Sequence, residues 1–282
     1  MNRTGYTRGG IYTGIGIAAA FLLAIMPRVK KRDKISMFKG CNFAHRGLFQ
    51  NEGEAPENSL PAFKKAVEEG FAIELDVQLT SDKVPVVIHD FDLKRACGAD
   101  VKVKDLTIDE LRSCYRLFES EEKVPTLAEV LELVDGRVPL LVEIKSMNLD
   151  MTVCRRTCEL LDAYKGEWCV ESFNPAVLFW FRWKRPHVIR GQLSDDFVKE
   201  GMEKHKWLMK MHTNLVTNFA TKPDFIAYNY KYANSLGFKL NRILYGVPAF
   251  AWTVKNEKQQ KRAKKYFDTM IFDSFVPKHR RH

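Results

Sequence analysis

Residues 73–90 read IELDVQLTSDKVPVVIHD, two apolar runs joined by only four residues, 80–83. Because four residues cannot hold a crossover helix, the two runs are predicted to pair as an antiparallel hairpin. Side chains alternate faces along a strand, so Glu74 and Asp76 point to one side, where both can bind one divalent cation. The hairpin returns the chain toward the same edge, and His89 is therefore expected close to the two carboxylates.

The remainder of the chain alternates short apolar runs with amphipathic stretches, a pattern typical of an α/β domain. Strands are predicted at residues 42–45, 72–77, 140–145, 168–172, 188–193, 225–230, 249–254 and 270–273. All but the last precede a plausible helix, for example 59–69 and 126–134. Eight strands alternating with helices predict a (β/α)8 TIM barrel. The hairpin interrupts the alternation, and the polar, turn-rich residues 90–125 are predicted to form a small insertion beside the site.

An uncharged run, GGIYTGIGIAAAFLLAIM, covers residues 9–26 and is just long enough to cross the hydrocarbon of a bilayer. Five basic residues and one acidic residue follow it within residues 28–34. By the positive-inside rule, this pattern predicts one N-terminal transmembrane helix with the domain that follows it on the cytoplasmic side. A cleaved signal peptide and a buried helix are the alternatives, and the basic residues directly after the run argue against export.

Length and composition suit one large domain with an N-terminal appendage, since the chain has 282 residues, of which 45% are hydrophobic. The predicted parts are a membrane anchor at 1–26, a basic linker at 27–40, the barrel domain at 41–277 and a basic tail at 278–282. The net charge of +10 suits a nucleic acid, an anionic membrane or an anionic substrate equally. Without an Arg/aromatic RNA-binding pattern or a recognition helix, the lipid bilayer is the predicted partner and nucleic acid is not. Oligomeric state is left open.

Six cysteines occur without a Cys-x-x-Cys pair or a zinc-type spacing. Cys154 and Cys158 share a helix face, where they are predicted to be small buried residues rather than ligands. This cysteine usage is typical of a protein in a reducing compartment.

Further polar residues stand at the predicted ends of two other strands. His45 ends the first strand, with Arg46 directly after it, while Glu143 and Lys145 share one face of the strand at 140–145. Each has an ordinary structural interpretation; Glu143 and Lys145, for example, could form a same-face ion pair of small value. Barrel enzymes keep their chemistry at the carboxyl ends of the strands, however, so the joint placement favours one catalytic site.

The chain resembles the glycerophosphodiester phosphodiesterase family from about residue 41 to residue 277. The resemblance rests on seven motifs in order, namely FAHRG at 43–47, PENS at 56–59, IELDVQLTSD at 73–82, PVVIHD at 85–90, VPTLAEVLEL at 124–133, LLVEIKS at 140–146 and AWTV at 251–254. It implies a barrel related to the phosphatidylinositol-specific phospholipase C type and one divalent cation, with Mg²⁺, Ca²⁺ and Mn²⁺ as candidates. It also implies hydrolysis of glycerophosphodiesters to sn-glycerol 3-phosphate and an alcohol, in phospholipid turnover.

The resemblance also assigns roles to individual residues. His45 and His89 match the two catalytic histidines of the family, whereas Glu74, Asp76 and Glu143 match its metal-binding carboxylates. Three carboxylates suit a hard cation that acts as a Lewis acid on the phosphate, and two histidines can divide the proton transfers. Which histidine is the acid, and whether water or the substrate's own 2-hydroxyl attacks, are left open.

Four further residues carry expected roles in substrate binding. Arg46 and Lys145 match the basic residues that hold the phosphate, and their charges suit an anionic diester. Asn58 matches an asparagine close to the site, and Trp252 matches a tryptophan that lines the pocket. The chain departs from the family pattern at Phe272, which replaces a threonine, and this departure makes the shape of the pocket uncertain.

Three functions therefore compete. The leading one is a membrane-anchored, metal-dependent enzyme that cleaves water-soluble glycerophosphodiesters. The second keeps the chemistry but takes a lysophospholipid or a lipid headgroup as its substrate. The third is an inactive, membrane-tethered binding module.

Overall fold

A closed barrel forms the body of the protein. The computed structural model describes residues 3–30 and 33–278, with side chains from residue 12 onward. Its strands are β1 Asn42–His45, β2 Ala72–Leu79, β3 Pro85–Val87, β4 Leu140–Ile144, β5 Trp168–Ser172, β6 Arg190–Ser194, β7 Phe225–Asn229, β8 Ala249–Val254 and β9 Thr269–Phe272. Eight of these described strands pair in parallel, and β1 pairs with both β2 and β9, which closes the sheet. The predicted (β/α)8 barrel is confirmed.

Of the described helices, the first precedes the barrel strands, the third and fourth lie in the insertion, and the others cover the outside of the barrel. The helices are α1 Arg3–Ile25, α2 Leu60–Glu68, α3 Lys94–Cys97, α4 Ile108–Cys114, α5 Leu127–Val134, α6 Thr152–Leu161, α7 Pro175–Lys184, α8 Lys206–Thr213, α9 Asn218–Thr221, α10 Leu236–Leu244 and α11 Glu257–Ala263. Short 3-10 helices cover Asp33–Phe38, Val103–Asp105, Leu117–Glu119 and Tyr230–Tyr232. Side chains define several starts: Ser59 caps α2, and Thr126 forms a capping box with Glu129 at α5.

The predicted hairpin is confirmed, because β3 runs antiparallel to β2, with Val77 opposite Val87. Thr80 closes the turn: its backbone N–H donates to the Val84 carbonyl at 3.1 Å, and its hydroxyl accepts from the Val84 N–H at 3.0 Å. After the hairpin, the insertion packs around a small core of its own, separate from the barrel core. This core contains Val86, Ile88, Leu93, Ala96, Val103, Leu111, Leu117 and Val124.

The inside of the barrel is apolar in its lower part and polar above, where the strands end. On several strands an apolar residue is followed two positions later by a polar one on the same face, as in Phe43 and His45, Ala72 and Glu74, Leu141 and Glu143, and Ile271 and Asp273. Phe225 and Phe250 stack in the apolar layer with ring centroids 4.2 Å apart. Gly191 makes room for this stack, since a Cβ there would lie 2.1 Å from the Phe225 ring. The apolar layer thus supports the polar residues from below.

Phe250→Ala is expected to lower the free energy of unfolding by about 3–5 kcal/mol, because it removes a fully buried ring that stacks on Phe225 and lies 5.8 Å from the Phe43 ring. Urea denaturation followed by circular dichroism measures the change. Tyr266→Ala, at a half-exposed aromatic residue, is the matched control and should change the value by less than about 1 kcal/mol. Equal losses in the two variants would contradict this account of the apolar layer.

The N-terminal helix α1 ends against the barrel. Tyr245 donates its hydroxyl to the Leu22 carbonyl at 2.8 Å, and the Asn218 amide donates to the Ile25 carbonyl at 3.0 Å. Within the predicted linker, Asp33–Phe38 brings the buried side chains Ile35 and Phe38 into the core at the lower end of the barrel. Part of this segment is therefore packed.

The prediction of a transmembrane helix is not supported. Among the residues that the structure describes, no helix is both long enough and apolar enough to cross a membrane. Residues 1–2, 31–32 and 279–282, which belong to the predicted anchor, linker and tail, lie outside the described part. The cytoplasmic location stays a prediction.

Candidate active site

Three carboxylates form the centre of the site. Glu74 and Asp76 project from one face of β2, and Glu143 stands opposite Asp76 in the parallel pairing of β2 with β4. Each is at most 7% exposed, and each offers an oxygen that lies within 4.8 Å of the others. Burial raises the pKa of Glu74 well above its usual range, with a further contribution from Asp76, and burial also raises the pKa of Glu143. The three oxygens therefore repel one another and suit a shared cation.

The two basic side chains predicted to bind phosphate, Lys145 and Arg46, lie against this cluster of carboxylates. The Lys145 ammonium is 3.1 Å from Glu143 Oε1 and 3.5 Å from Asp76 Oδ1, while Arg46 Nε is 3.4 Å from Asp76 Oδ2. Asn58, at φ 58°, donates its amide to Asp76 Oδ2 at 3.0 Å. Burial opposes the ionisation of Asp76, but Lys145, followed by smaller contributions that include Arg46, outweighs it and holds the pKa below its usual range. Asp76 is thus an anion held by three neighbouring groups.

The first histidine is held by a carboxylate from the last strand. Nδ1 of His45 lies 3.1 Å from Oδ2 of Asp273, just after β9, and its Nε2 lies 3.9 Å from Glu74 Oε2. Burial lowers the pKa of His45, and the charge of Arg46 lowers it further. Asp273 is buried, yet its hydrogen bond with His45 lowers its pKa to about 2. Sequence reasoning assigned no role to Asp273, although this carboxylate ends the last predicted strand.

The second histidine has the same arrangement. Nδ1 of His89 lies 2.6 Å from Oδ1 of Asp90. The Gln78 amide on β2 donates to the carbonyls of residues 88, 89 and 90 at 2.7–3.1 Å, which fastens this segment to the barrel. Because a carboxylate accepts the proton on Nδ1, the neutral ring leaves Nε2 as its unprotonated nitrogen. In both histidines, Nε2 is therefore the atom available for proton transfer.

A chain of ion pairs joins His89 to Arg46 through the insertion. Arg95 on α3 places Nε 2.6 Å from Asp90 Oδ2 and its two terminal nitrogens 3.0 and 2.6 Å from the Glu57 oxygens. Glu57 Oε1 in turn accepts from Arg46 at 2.7 Å. Glu57 belongs to the PENS motif and Arg95 follows His89 by six residues, but neither was assigned a role from the sequence. Their positions within or next to family motifs were the available signal.

A fourth carboxylate borders the triad without belonging to it, and an aromatic wall stands at neighbouring strand ends. Glu171 on β5 lies opposite Glu143 in the sheet, is 1% exposed, and has a pKa raised well above its usual range by burial and by Glu143. Phe173 contacts Trp252 edge-on with centroids 5.6 Å apart, and Phe197 lies 5.9 Å from Phe173. Trp252 thus belongs to a group of three rings contributed by different parts of the chain.

Buried carboxylates, histidines held by carboxylates and flanking basic side chains stand together at the strand ends of a (β/α)8 barrel, where enzymes of this fold carry their active sites. The sequence profile of the glycerophosphoryl diester phosphodiesterase family matches residues 45–275. The glycerophosphodiester phosphodiesterase of Caldanaerobacter subterraneus is 32% identical over 245 residues, which cover 82% of this chain and 92% of that protein. The chain therefore belongs to the glycerophosphoryl diester phosphodiesterase family and is a hydrolase of phosphoric diester bonds.

Two further relatives are relevant to the choice of substrate. Human lysophospholipase D GDPD1 is 32% identical over 164 residues, covering 54% of this chain and 50% of that protein. A phosphodiesterase of Oleispira antarctica, solved in complex with its product sn-glycerol-3-phosphate, has the same fold, with a TM-score of 0.67, 22% identity, and coverage of 86% of this chain and 95% of that one.

Proposed function

We propose that this enzyme hydrolyses glycerophosphodiesters to sn-glycerol 3-phosphate and an alcohol, with the help of one divalent cation. The observation that carries the proposal is the buried triad Glu74, Asp76 and Glu143 next to His45 and His89, both held at Nδ1. The relatives named for this reaction support the same substrate class. An inactive binding module is not supported, because the chain belongs to a family of hydrolases.

The donor set fits a hard divalent cation such as Mg²⁺, Ca²⁺ or Mn²⁺. All three donors are carboxylates, and Oδ1 of Asp76 is buried and accepts no hydrogen bond from the described residues. Glu74, Asp76 and Glu143 would hold the ion, which supplies Lewis-acid stabilisation of charge on the phosphate. Arg46 and Lys145, at the edge of the triad, add fixed positive charge for the anionic substrate.

The two histidines would perform the proton transfers. One neutral ring would accept the proton of the attacking hydroxyl at Nε2, while the other ring, protonated on both nitrogens, would donate its Nε2 proton to the departing alkoxide; each transfer is typically worth about 100-fold to 10,000-fold in rate. Asp90 and Asp273 keep the rings in the tautomer that this role needs. The proposal holds whether the attacking hydroxyl belongs to water or to the substrate.

Lysophospholipids are a second candidate substrate class. The aromatic wall of Phe173, Phe197 and Trp252 offers an apolar surface to an acyl chain, and one curated relative is named for lysophospholipase D activity. The same wall can also contact a glycerol or choline group, so soluble diesters remain the leading proposal.

The test is a panel of glycerophosphocholine, glycerophosphoethanolamine and lysophosphatidylcholine, each assayed with Mg²⁺, Ca²⁺ or Mn²⁺ after chelator treatment. We expect sn-glycerol 3-phosphate from the soluble diesters, no product in the chelated enzyme, and recovery on addition of one cation. Turnover of lysophosphatidylcholine alone would replace the leading substrate class with the second. No turnover of any diester would refute the proposal.

Arg95→Ala is expected to lower kcat/KM by about 10-fold to 100-fold, because it removes the centre of the ion-pair chain between His89 and Arg46. Arg112→Ala is the matched control, since Arg112 lies in the same insertion and pairs with Glu129 at the surface, 2.9 Å away. Steady-state kinetics on the preferred diester measures both variants. If Arg95→Ala has the kinetics of the control, the ion-pair chain does not position the catalytic groups.

A further inference from the structure

Three neighbouring helices expose large apolar side chains to solvent. The residues are Phe179 and Trp183 on α7, Phe219 on α9, and Ile243 and Leu244 on α10, each 48–76% exposed. Single exposed apolar residues are ordinary on a protein surface, whereas a contiguous group of them marks a site of interaction. We call the surface formed by these five residues the apolar flank.

Contacts between the helices make the apolar flank continuous. Arg182 on α7 donates to the carbonyls of Phe219 and Ala220 in α9, at 3.1 and 2.7 Å. Asn218 of α9 lies 3.4 Å from the amide oxygen of Asn241 on α10. The helices therefore pack side by side in the order α7, α9, α10.

The charge of these helices has one sign. Their sequences contain Arg182, Lys184, Lys239 and Arg242, and no aspartate or glutamate. The Arg182 guanidinium lies over the Trp183 ring, 5.0 Å from its centroid, and the Phe179 ring is 6.2 Å from that of Trp183. Aromatic rings mixed with long basic side chains are typical of surfaces that enter the headgroup region of a bilayer.

The N-terminal helix leaves the domain beside the apolar flank. Its last turns are held by Tyr245, directly after α10, and by Asn218 of α9. Residues 12–20 of α1 are exposed, including the apolar Ile15 and Ile17. A second apolar element thus projects from the same side of the molecule.

We propose that the apolar flank, with the exposed part of α1 next to it, is a docking surface for an anionic lipid bilayer. The aromatic and aliphatic side chains enter the interface, and the exposed Lys184 and Lys239 face anionic headgroups, whereas Arg242 pairs with Asp268 at 2.6 Å. A second copy of the chain is a poorer partner, because its identical basic surface would face like charge. Docking here does not require a helix that spans the membrane.

The active site stays open when the apolar flank is docked. In a (β/α)8 barrel the helices run antiparallel to the strands, so α7 and α10 end at the amino-terminal side of the barrel. Trp183, Ile243 and Leu244 lie in those last turns, whereas His45, Glu74 and Glu143 stand at the opposite strand ends.

The test is sedimentation of the full chain with vesicles of phosphatidylcholine alone or with added phosphatidylserine. We expect stronger binding to the anionic vesicles and a loss of roughly tenfold in the Trp183→Ser, Ile243→Ser double variant. Tyr266→Ser, at a half-exposed ring outside the flank, should bind as wild type. Circular dichroism and turnover of the soluble diester should be unchanged in all three proteins, which separates this test from that of the proposed function.

Two results would overturn the proposal. Unchanged binding of the double variant would assign any attachment to α1 alone, and equal binding to both vesicle types would remove the role of the basic residues. A change from dimer to monomer in the double variant, measured by light scattering with vesicle binding intact, would instead identify a second copy as the occupant.

Discussion

His89→Ala is expected to lower kcat by about 100-fold to 10,000-fold while the barrel remains folded. The ring offers Nε2 to the reaction, since Nδ1 is held by Asp90 at 2.6 Å. Because the side chain is about one third exposed, its removal costs little packing. His45→Ala should give a loss of the same order for the same reason, as Asp273 holds its Nδ1. Product formation in steady state and circular dichroism measure activity and folding in parallel.

The control is His187→Ala, at an exposed histidine outside the site, which should keep wild-type kinetics. A double His45→Ala, His89→Ala variant is expected to lose much less than the product of the two single losses, because the residues act as one unit. Wild-type turnover in either single variant would remove that histidine from the proposed chemistry.

Glu74→Gln is expected to weaken cation binding by about 100-fold or more and to lower the rate with it. The substitution keeps the shape of the side chain, so it tests the charge of one donor in the triad. Isothermal titration of Mg²⁺, Ca²⁺ and Mn²⁺ into the chelator-treated enzyme measures affinity without reference to turnover. Restoration of the lost rate at high cation concentration would indicate that the residue acts through the ion.

Glu171→Gln is the matched control for this experiment. Glu171 is as deeply buried as Glu74 and lies opposite Glu143 in the sheet, but it is not part of the triad. Its substitution should leave cation affinity close to the wild-type value. If Glu171→Gln weakens binding as much as Glu74→Gln does, the set of donors must be revised to include β5.

The strands and the triad could be predicted because each depends on local rules. Alternation along β2 places Glu74 and Asp76 on one face. A connection of four residues is too short for a crossover helix, so it predicts a hairpin. The partner of His45 could not be found in this way. Asp273 is 228 residues away and meets His45 only because β9 pairs with β1 when the barrel closes. Alternation along a strand predicts the face of the sheet to which a side chain points. It does not predict which residue of another strand lies next to that side chain once the barrel is closed.

Neither the ion-pair chain nor the structural effect of Phe272 could be predicted from the sequence, and the reasons differ. Arg95 lies on a helix of four residues, too short to have a hydrophobic period. Phe272 was expected to affect the pocket, yet it is buried among aromatic rings in the core, 5.1 Å from Phe71 and 5.8 Å from Phe275. This departure therefore concerns the packing of the barrel.

The separate core of the insertion is expected to set the temperature at which activity is lost. A group of eight buried apolar residues opens more easily than the much larger barrel core, because cooperative units with fewer buried contacts have lower opening free energies. Opening of this unit would carry Arg95 away from Glu57 while every barrel strand stayed paired. We therefore expect heat inactivation to be a local event that reverses on cooling, with activity decreasing before the secondary structure melts.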